Sequence, residues 1–351
     1  MATKKIPFYQ ICVGEEEIEA AARVIRSGWL TQGPEVEAFE AEAAAMLGAP
    51  PGHECVAVSS CTAGLYLLMQ ALAWTGPGKK IVVPTMTFAA TINAVIAAGA
   101  EPVIHDVDME CRLRIGESMP DSDGVVYVHF AGLDQFVAGR ARDIGSGVIH
   151  DQAHSFQPGA YLQNSVWSFF PTKNITAGEG GLIGCRSIVA EQIRKMRDHG
   201  RSGTYEVEYP GSLNFRMTDI QAAILREQLK KLPWILARKR RVANIYREQF
   251  VWHDLIKPPP HDVTHLFWVR VKNPGSVMEA LHDRGIETSV HYRPLHQMDA
   301  YKQYAPSPCP NADRIYQNIV SLPFWPMSDG EAMDVATAFV AEVERLSRSG
   351  K

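Results

Sequence analysis

Between residues 55 and 184 the chain repeats one pattern, a short apolar run followed by a turn or a helically spaced segment. The apolar runs fall at 55–58, 81–84, 102–105, 125–129, 148–150, 166–170 and 181–184. Several lack polar alternation, so both faces of those strands must be covered, as in a sheet sandwiched between helices. Helical spacing follows some of the runs, at 62–74, 88–98 and 188–199. Such alternation specifies an open α/β sheet, and ligands of open α/β sheets bind beyond the carboxyl ends of the strands.

The flanks add further elements. Helical spacing occurs at 15–27 (Ile18, Ala21, Ala22, Ile25) and at 35–47 (Val36, Phe39, Ala43, Met46). A turn-rich loop at 28–34 separates them, and Pro34 suits the first turn of the second helix. Residues 200–213 read as a polar, Gly-rich loop. A helix is expected at 218–232 with Thr218 as its N-cap, and a separate helix at 234–250. The prolines 258–260 mark a boundary, followed by a strand at 265–271, a helix at 277–284, a strand at 287–292 and a terminal helix at 330–346. This divides the chain into a large α/β domain, residues 1–234 with the N-terminal helices, and a smaller C-terminal α/β domain, residues 235–351.

Composition excludes several classes. The net charge is -4 and no block is strongly basic, so neither a nucleic-acid stripe nor a polybasic membrane anchor is expected. The six cysteines show no zinc spacing, which predicts free thiols in a reducing compartment and no metal site. No apolar run approaches the roughly 18 residues of a membrane span, and residues 1–10 lack the apolar core of a signal peptide. The cytoplasm is the expected location. No Gly-x-Gly-x-x-Gly follows the first strand and no Walker lysine motif is present, so the sheet needs another ligand.

Four segments beyond the strands carry candidate chemistry. Residues 59–64 (Ser-Ser-Cys-Thr-Ala-Gly) open a helix, either as an anion cradle of backbone N–H groups or as a plain cap. Asp151 ends an apolar strand, suited to a cationic ring nitrogen or to capping a turn. Lys173 sits between an aromatic strand and a Gly-rich turn, as a surface lysine or as an amine that forms an imine with an aldehyde cofactor. Asn214-Phe-Arg216 precedes a helix, to cap it or to reach a phosphate across a dimer interface. A phosphate cradle, a carboxylate for a pyridine nitrogen and an imine-forming lysine together make the kit for pyridoxal phosphate.

Over nearly its whole length the chain resembles the DegT/DnrJ/EryC1/StrS aminotransferases, pyridoxal-phosphate sugar aminotransferases of the aspartate-aminotransferase fold. Residues 28–40 are similar to the family's opening signature, and Ser60-Cys61-Thr62-Ala63 resembles its Ser-Gly-Thr-Ala phosphate turn. Residues 84–91 resemble the segment with the stacking aromatic, and Asp151-Gln152-Ala153-His154 resembles its Asp-Ala-Ala-His. The stretch 168–181, the Asn-Phe-Arg-Met turn at 214–217 and the motifs at 291–296 and 321–326 also match.

The resemblance implies a fold type I pyridoxal-phosphate transferase, with a large mixed-sheet α/β domain and a smaller C-terminal one. It implies that Lys173 carries pyridoxal 5'-phosphate as an internal aldimine and that Asp151 pairs with the pyridine nitrogen, where the nearby cation should depress its pKa. Phe88 and Ala153 would flank the ring, and His154 would approach its phenolic oxygen. Cys61, Thr62 and Ala63, with Ser168, would hold the phosphate, and Asn214 would reach the phosphate of the neighbouring subunit's cofactor in a homodimer with shared active sites. His291, Tyr292 and Arg293 would meet substrate. The implied reaction moves an amino group from L-glutamate to a keto-sugar, a nucleotide-linked 3- or 4-keto-6-deoxyhexose. The other acceptor in the family is a keto-cyclitol of aminoglycoside type. Dehydratases or deoxygenases of this fold tend to have histidine in place of the lysine, and some members were first viewed as regulators.

The chain also departs from the family pattern. Cys61 replaces a glycine, at a cost of roughly 1–2 kcal/mol if the backbone there has positive φ. Arg293 stands where an uncharged residue is usual, to meet a nucleotide phosphate or a surface carboxylate. The stretches 108–125 and 155–166 are shorter than is usual, and His129 at a strand end reads as a packed, hydrogen-bonded histidine.

Overall fold

A computed structural model describes residues 5–116, 119–132, 147–160, 162–259 and 263–348. Residues 1–4 of the N-terminal segment and Pro260 of the proline boundary lie outside the described residues.

The apolar runs form β1 (His53–Val58), β2 (Lys80–Pro84), β3 (Glu101–His105), β4 (Gly124–Val128), β5 (Gly147–Asp151), β6 (Ser165–Ser168) and β7 (Gly181–Arg186). They make one sheet in the order β1-β7-β6-β5-β4-β2-β3. β7 runs antiparallel to both its neighbours, and the other pairings are parallel. The sheet is therefore mixed. Its register brings chemistry to one edge: Val58 and Ser168 both pair with Gly181, and Val128 pairs with Asp151.

Helices cover the sheet: α1 (Glu15–Ser27), α2 (Pro34–Leu47), α3 (Cys61–Ala71), α4 (Ala89–Ala97) and α5 (Ser187–Met196). Pro34 is the first residue of α2, and the buried Asp219 carboxylate accepts hydrogen bonds from the N–H groups of Gly33 and Val36 at that helix start. Such a carboxylate satisfies donors that the helix itself leaves free.

The two helices expected at 218–232 and 234–250 are one, α6 (Asp219–Phe250), with Pro233 inside it. An interior proline costs roughly 3 kcal/mol. Here the buried stripe continues through Leu229, Leu232, Ile235, Val242 and Tyr246, and burying one such side chain returns roughly 1.5–3 kcal/mol. The boundary at 234/235 lies within this helix, which packs against α1 and α2 and also against the C-terminal helix.

Beyond α6 lie β8 (Phe267–Arg270), α7 (Pro274–Asp283), α8 (Pro310–Tyr316), β9 (Ile319–Leu322) and α9 (Asp329–Arg348). β8 and β9 form a two-stranded antiparallel sheet. The strand expected at 287–292 does not form. Ser289 makes an isolated bridge to Ser321, while His291 and Tyr292 both line one cavity. Successive residues of a strand face opposite sides, so a segment turning two neighbours inward leaves the strand geometry.

Candidate active site

The carboxyl ends of β1, β4, β5 and β6 open onto a cavity of ≈ 510 Å³. Its walls carry Cys61, Thr62, Phe88, Asp151, Ala153, His154, Ser168, Lys173, His291 and Tyr292. Ala63, Asn214 and Arg293 are not part of its lining. The Ala63 N–H donates to Ser60 Oγ at 3.1 Å, so the N-cap takes that donor. Asn214 is exposed and accepts from the Arg216 N–H at 3.2 Å. Arg293 donates to the Gln297 carbonyl at 2.8 Å and has no carboxylate partner among the described residues.

Lys173 and Asp151 give the cavity its chemistry. Lys173 Nζ has neither a hydrogen bond nor an ion pair among the described residues. Burial pushes this amine down to about 8, against the opposing pull of Cys61 and Asp151. Asp151 is 5% exposed. It accepts from Thr91 Oγ1 at 2.8 Å and from the Ala153 N–H at 3.1 Å. Burial raises its pKa, while Thr91, Ala153 and Lys173 act against that rise. Burial thus outweighs the groups that favour the ionised carboxylate.

The wall near α3 is built by close approach. A Cβ on Gly181 would stand 2.5 Å from the Ser60 carbonyl carbon and 2.6 Å from the Cys61 nitrogen. Glycine at 181 lets β7 pass directly under the turn that opens α3. Cys61 lies in the first turn of α3 and is not among the residues with positive φ, so the feared backbone penalty is absent. Its Sγ lies 4.0 Å from Asp151 Oδ1, and burial raises the thiol pKa well above its ordinary value.

The opposite wall is aromatic. Phe88 is 63% exposed, with its ring centre 6.0 Å from that of Tyr292. His154 Nδ1 accepts from the Ala131 N–H at 3.2 Å, which leaves Nε2–H to donate to Tyr292 Oη at 3.1 Å. Burial pushes His154 well below its ordinary pKa, in keeping with this neutral tautomer. His291 Nδ1 lies 2.9 Å from Ser321 Oγ. His129 is buried, with Nε2 3.0 Å from His150 Nδ1, as a packed histidine should be.

Thr91, Thr87, Phe170, Thr172 and Glu179 escaped the sequence reading. All but Thr91 line the cavity, and Thr91 reaches it through Asp151. A signal existed for the first two. Thr87, two residues before α4, and Thr91 within it are four apart in a largely apolar stretch, and their hydroxyls lie 2.8 Å apart.

Residues 11–340 match the DegT/DnrJ/EryC1/StrS aminotransferase family. The chain is 35% identical to the spore coat polysaccharide biosynthesis protein SpsC of Bacillus subtilis, over 95% of this chain and 96% of that one. The crystal structure of the aminotransferase TlmJ from Streptoalloteichus hindustanus is similar, with a TM-score of 0.90 and 30% identity over 98% of this chain and 100% of that one. S. venezuelae DesV, solved with a ketimine intermediate, also has a TM-score of 0.90, with 29% identity over 97% of this chain and 99% of that one. The chain therefore belongs to the DegT/DnrJ/EryC1/StrS family of pyridoxal-phosphate-dependent sugar aminotransferases. Among the described residues, no helix is long and apolar enough to cross a membrane.

Proposed function

We propose that this enzyme moves the amino group of L-glutamate to a nucleotide-linked 3- or 4-keto-6-deoxyhexose, with Lys173 as the cofactor-binding and proton-moving amine. The supporting observation is one cavity that holds an unpaired lysine amine and a buried carboxylate. The residues fit pyridoxal phosphate. A buried carboxylate whose ionised form burial disfavours suits a protonated ring nitrogen, and a buried amine with no hydrogen bond among the described residues suits an aldehyde.

Pyridoxal phosphate, when bound, supplies an electron sink for negative charge at the substrate carbon beside nitrogen. Lys173 would hold the cofactor's aldehyde carbon through Nζ, and once the donor amine displaced it, Nζ would take the proton from the donor's carbon beside nitrogen and deliver it to the former aldehyde carbon. A neutral amine is needed for this, and burial, which lowers Lys173 to about 8, brings the neutral form within reach at mildly alkaline pH. Asp151 would hold a proton at the ring nitrogen. Phe88 and Ala153 would flank the ring, and His154, fixed by Ala131 and Tyr292, would approach its oxygen substituent. The first turn of α3, through Cys61 and Thr62, would bind the phosphate together with Ser168. Ala63 contributes through its place in that turn. Asn214 would serve the partner subunit's site in a homodimer. His291, Tyr292 and Arg293 would meet the sugar. The cytoplasm is the proposed location.

The test uses purified protein saturated with the cofactor. L-glutamate should bleach the visible absorbance band, and 2-oxoglutarate should restore it. A panel of keto-sugar nucleotides and keto-cyclitols then reports which acceptor restores the band. Restoration by keto-cyclitols alone would overturn the nucleotide-sugar reading, and a band indifferent to glutamate would overturn the donor.

A further inference from the structure

Two stretches far apart in sequence meet at the cavity, and a hydrogen-bonded cluster just outside it ties them together. One stretch leaves β2 through Thr85, Thr87 and Phe88, and the other runs from His291 and Tyr292 to His296. Thr87, Phe88, His291 and Tyr292 line the cavity, while Thr85 and His296 do not. The Phe88 and Tyr292 ring centres are 6.0 Å apart.

Thr85 is fully buried. Its carbonyl accepts from the Leu295 N–H at 2.9 Å, and its Oγ1 lies 2.7 Å from His296 Nδ1. On the other side of the imidazole, Nε2 is 2.9 Å from Asp313 Oδ1, a residue of α8. An ionised carboxylate only accepts, so Nε2 carries a hydrogen, and in the neutral ring Nδ1 is left to accept from the Thr85 hydroxyl. Gln297 Nε2 donates to the same Asp313 oxygen at 2.5 Å. The circuit closes through the sheet. Asp106, the residue after β3, accepts from the N–H groups of Asn311 and Ala312 at the start of α8, each at 3.1 Å. The Thr85 N–H donates to the carbonyl of His105, the last residue of β3, at 2.9 Å. A single backbone bond at Leu295 would leave the 291–297 stretch free to pivot about it. The imidazole adds two further points of attachment and stops the pivot.

We infer that His296 is a positioning residue for the acceptor: by bridging Thr85 and Asp313 it sets how far Tyr292 stands from Phe88, and so how well a keto-sugar is held. The contact of Tyr292 with the sugar is the reading proposed above, and the inference rests on it for its meaning in turnover.

The experiment uses the full-length, cofactor-loaded enzyme. Thr85→Val removes the hydroxyl and nearly keeps the shape. His296→Ala removes both side-chain contacts. His296→Asn keeps an amide oxygen where Nδ1 accepts but does not reach Asp313. Two properties are read. The first is the concentration that half-saturates each half-reaction, with L-glutamate as donor and, as acceptor, the keto-sugar nucleotide most active with the wild type. The acceptor constant should rise about fivefold or more in Thr85→Val and about tenfold or more in His296→Ala, with the L-glutamate constant within about twofold of wild type and His296→Asn falling between wild type and alanine. The second is the fluorine NMR line of 3-fluorotyrosine placed at Tyr292, with no acceptor added. It should be narrow in the wild type and shifted or broadened in Thr85→Val and His296→Ala.

An acceptor constant that stays within about twofold, or donor and acceptor constants that rise together, would overturn the inference. So would an asparagine variant no better than alanine, or a fluorine line unchanged in every variant, which would reduce the cluster to a stabilising contact. Wild type that uses no keto-sugar nucleotide would fail the proposed function alone, and the fluorine line would still decide the positioning.

Discussion

Thr91 Oγ1 donates to Asp151 Oδ2 at 2.8 Å, and Thr87 Oγ1 lies 2.8 Å from the same Thr91 oxygen. With the Thr91 hydrogen committed to the carboxylate, Thr87 is the donor of the second bond. The pair is a short relay that favours the ionised form of a carboxylate that burial otherwise disfavours. Thr91→Val keeps the shape and removes the donor. A hydrogen bond to a charged group is worth roughly 1.5–3 kcal/mol, so the cofactor dissociation constant should rise by about tenfold or more. Fluorescence titration with pyridoxal phosphate checks this.

The same buried carboxylate makes Asp151 a liability in the cofactor-free protein. Its folded pKa is raised by burial, so its contribution to stability is present below its unfolded pKa and is lost as pH rises through the folded one. Asp151→Asn should therefore melt at a higher temperature than wild type near neutral pH without cofactor, and the gap should close in acid. Transamination should fall by about a hundredfold or more, because the ring nitrogen loses its counter-ion. Paired melting curves and turnover rates check both halves.

Gly181→Ala should displace the turn that opens α3. Its Cβ would meet backbone atoms of Ser60 and Cys61 at 2.5–2.6 Å, which cannot yield as a flexible side chain would. Overpacking of this kind costs roughly 1–3 kcal/mol. Phosphate contact should suffer most, so inorganic phosphate should compete with cofactor uptake at the wild-type site more strongly than at the variant's. By contrast Cys61→Ala, at a residue with ordinary backbone geometry, should change stability by about 1 kcal/mol or less in either direction and keep the cofactor. Urea unfolding of the two variants tests the contrast.

Reconstitution should depend on pH through Lys173. The neutral amine is the nucleophile, and burial lowers the group from its ordinary 10.5 to about 8. The rate at which the cofactor-free protein takes up pyridoxal phosphate should rise with pH up to about 8 and level off beyond it. A rate still climbing beyond pH 10 would mean an unperturbed, solvated lysine. Stopped-flow absorbance measures it.

The central sheet was legible because buried strands need unbroken apolar runs, and every run from 55 to 184 became a strand. The helix join at Pro233 was not legible. A local rule breaks the helix there, and only the long buried stripe of α6, visible once α1, α2 and α9 pack on it, overrides that rule. β9 escaped as well, since Ile319–Leu322 is short and follows helix α8 by only a few residues. At the site, motif residues at strand ends were readable. Thr91 was not, because its meaning lies in what it touches, Asp151 across the sheet. Arg293 drew attention as an unusual charge, and its partner is a nearby carbonyl.

The most direct measurement is borohydride reduction of the cofactor-loaded protein followed by peptide mass spectrometry. One reduced cofactor per chain is expected, attached to the peptide that contains Lys173 and absent from Lys173→Ala. Cofactor mass on another lysine, or none on protein that binds the cofactor, would contradict it.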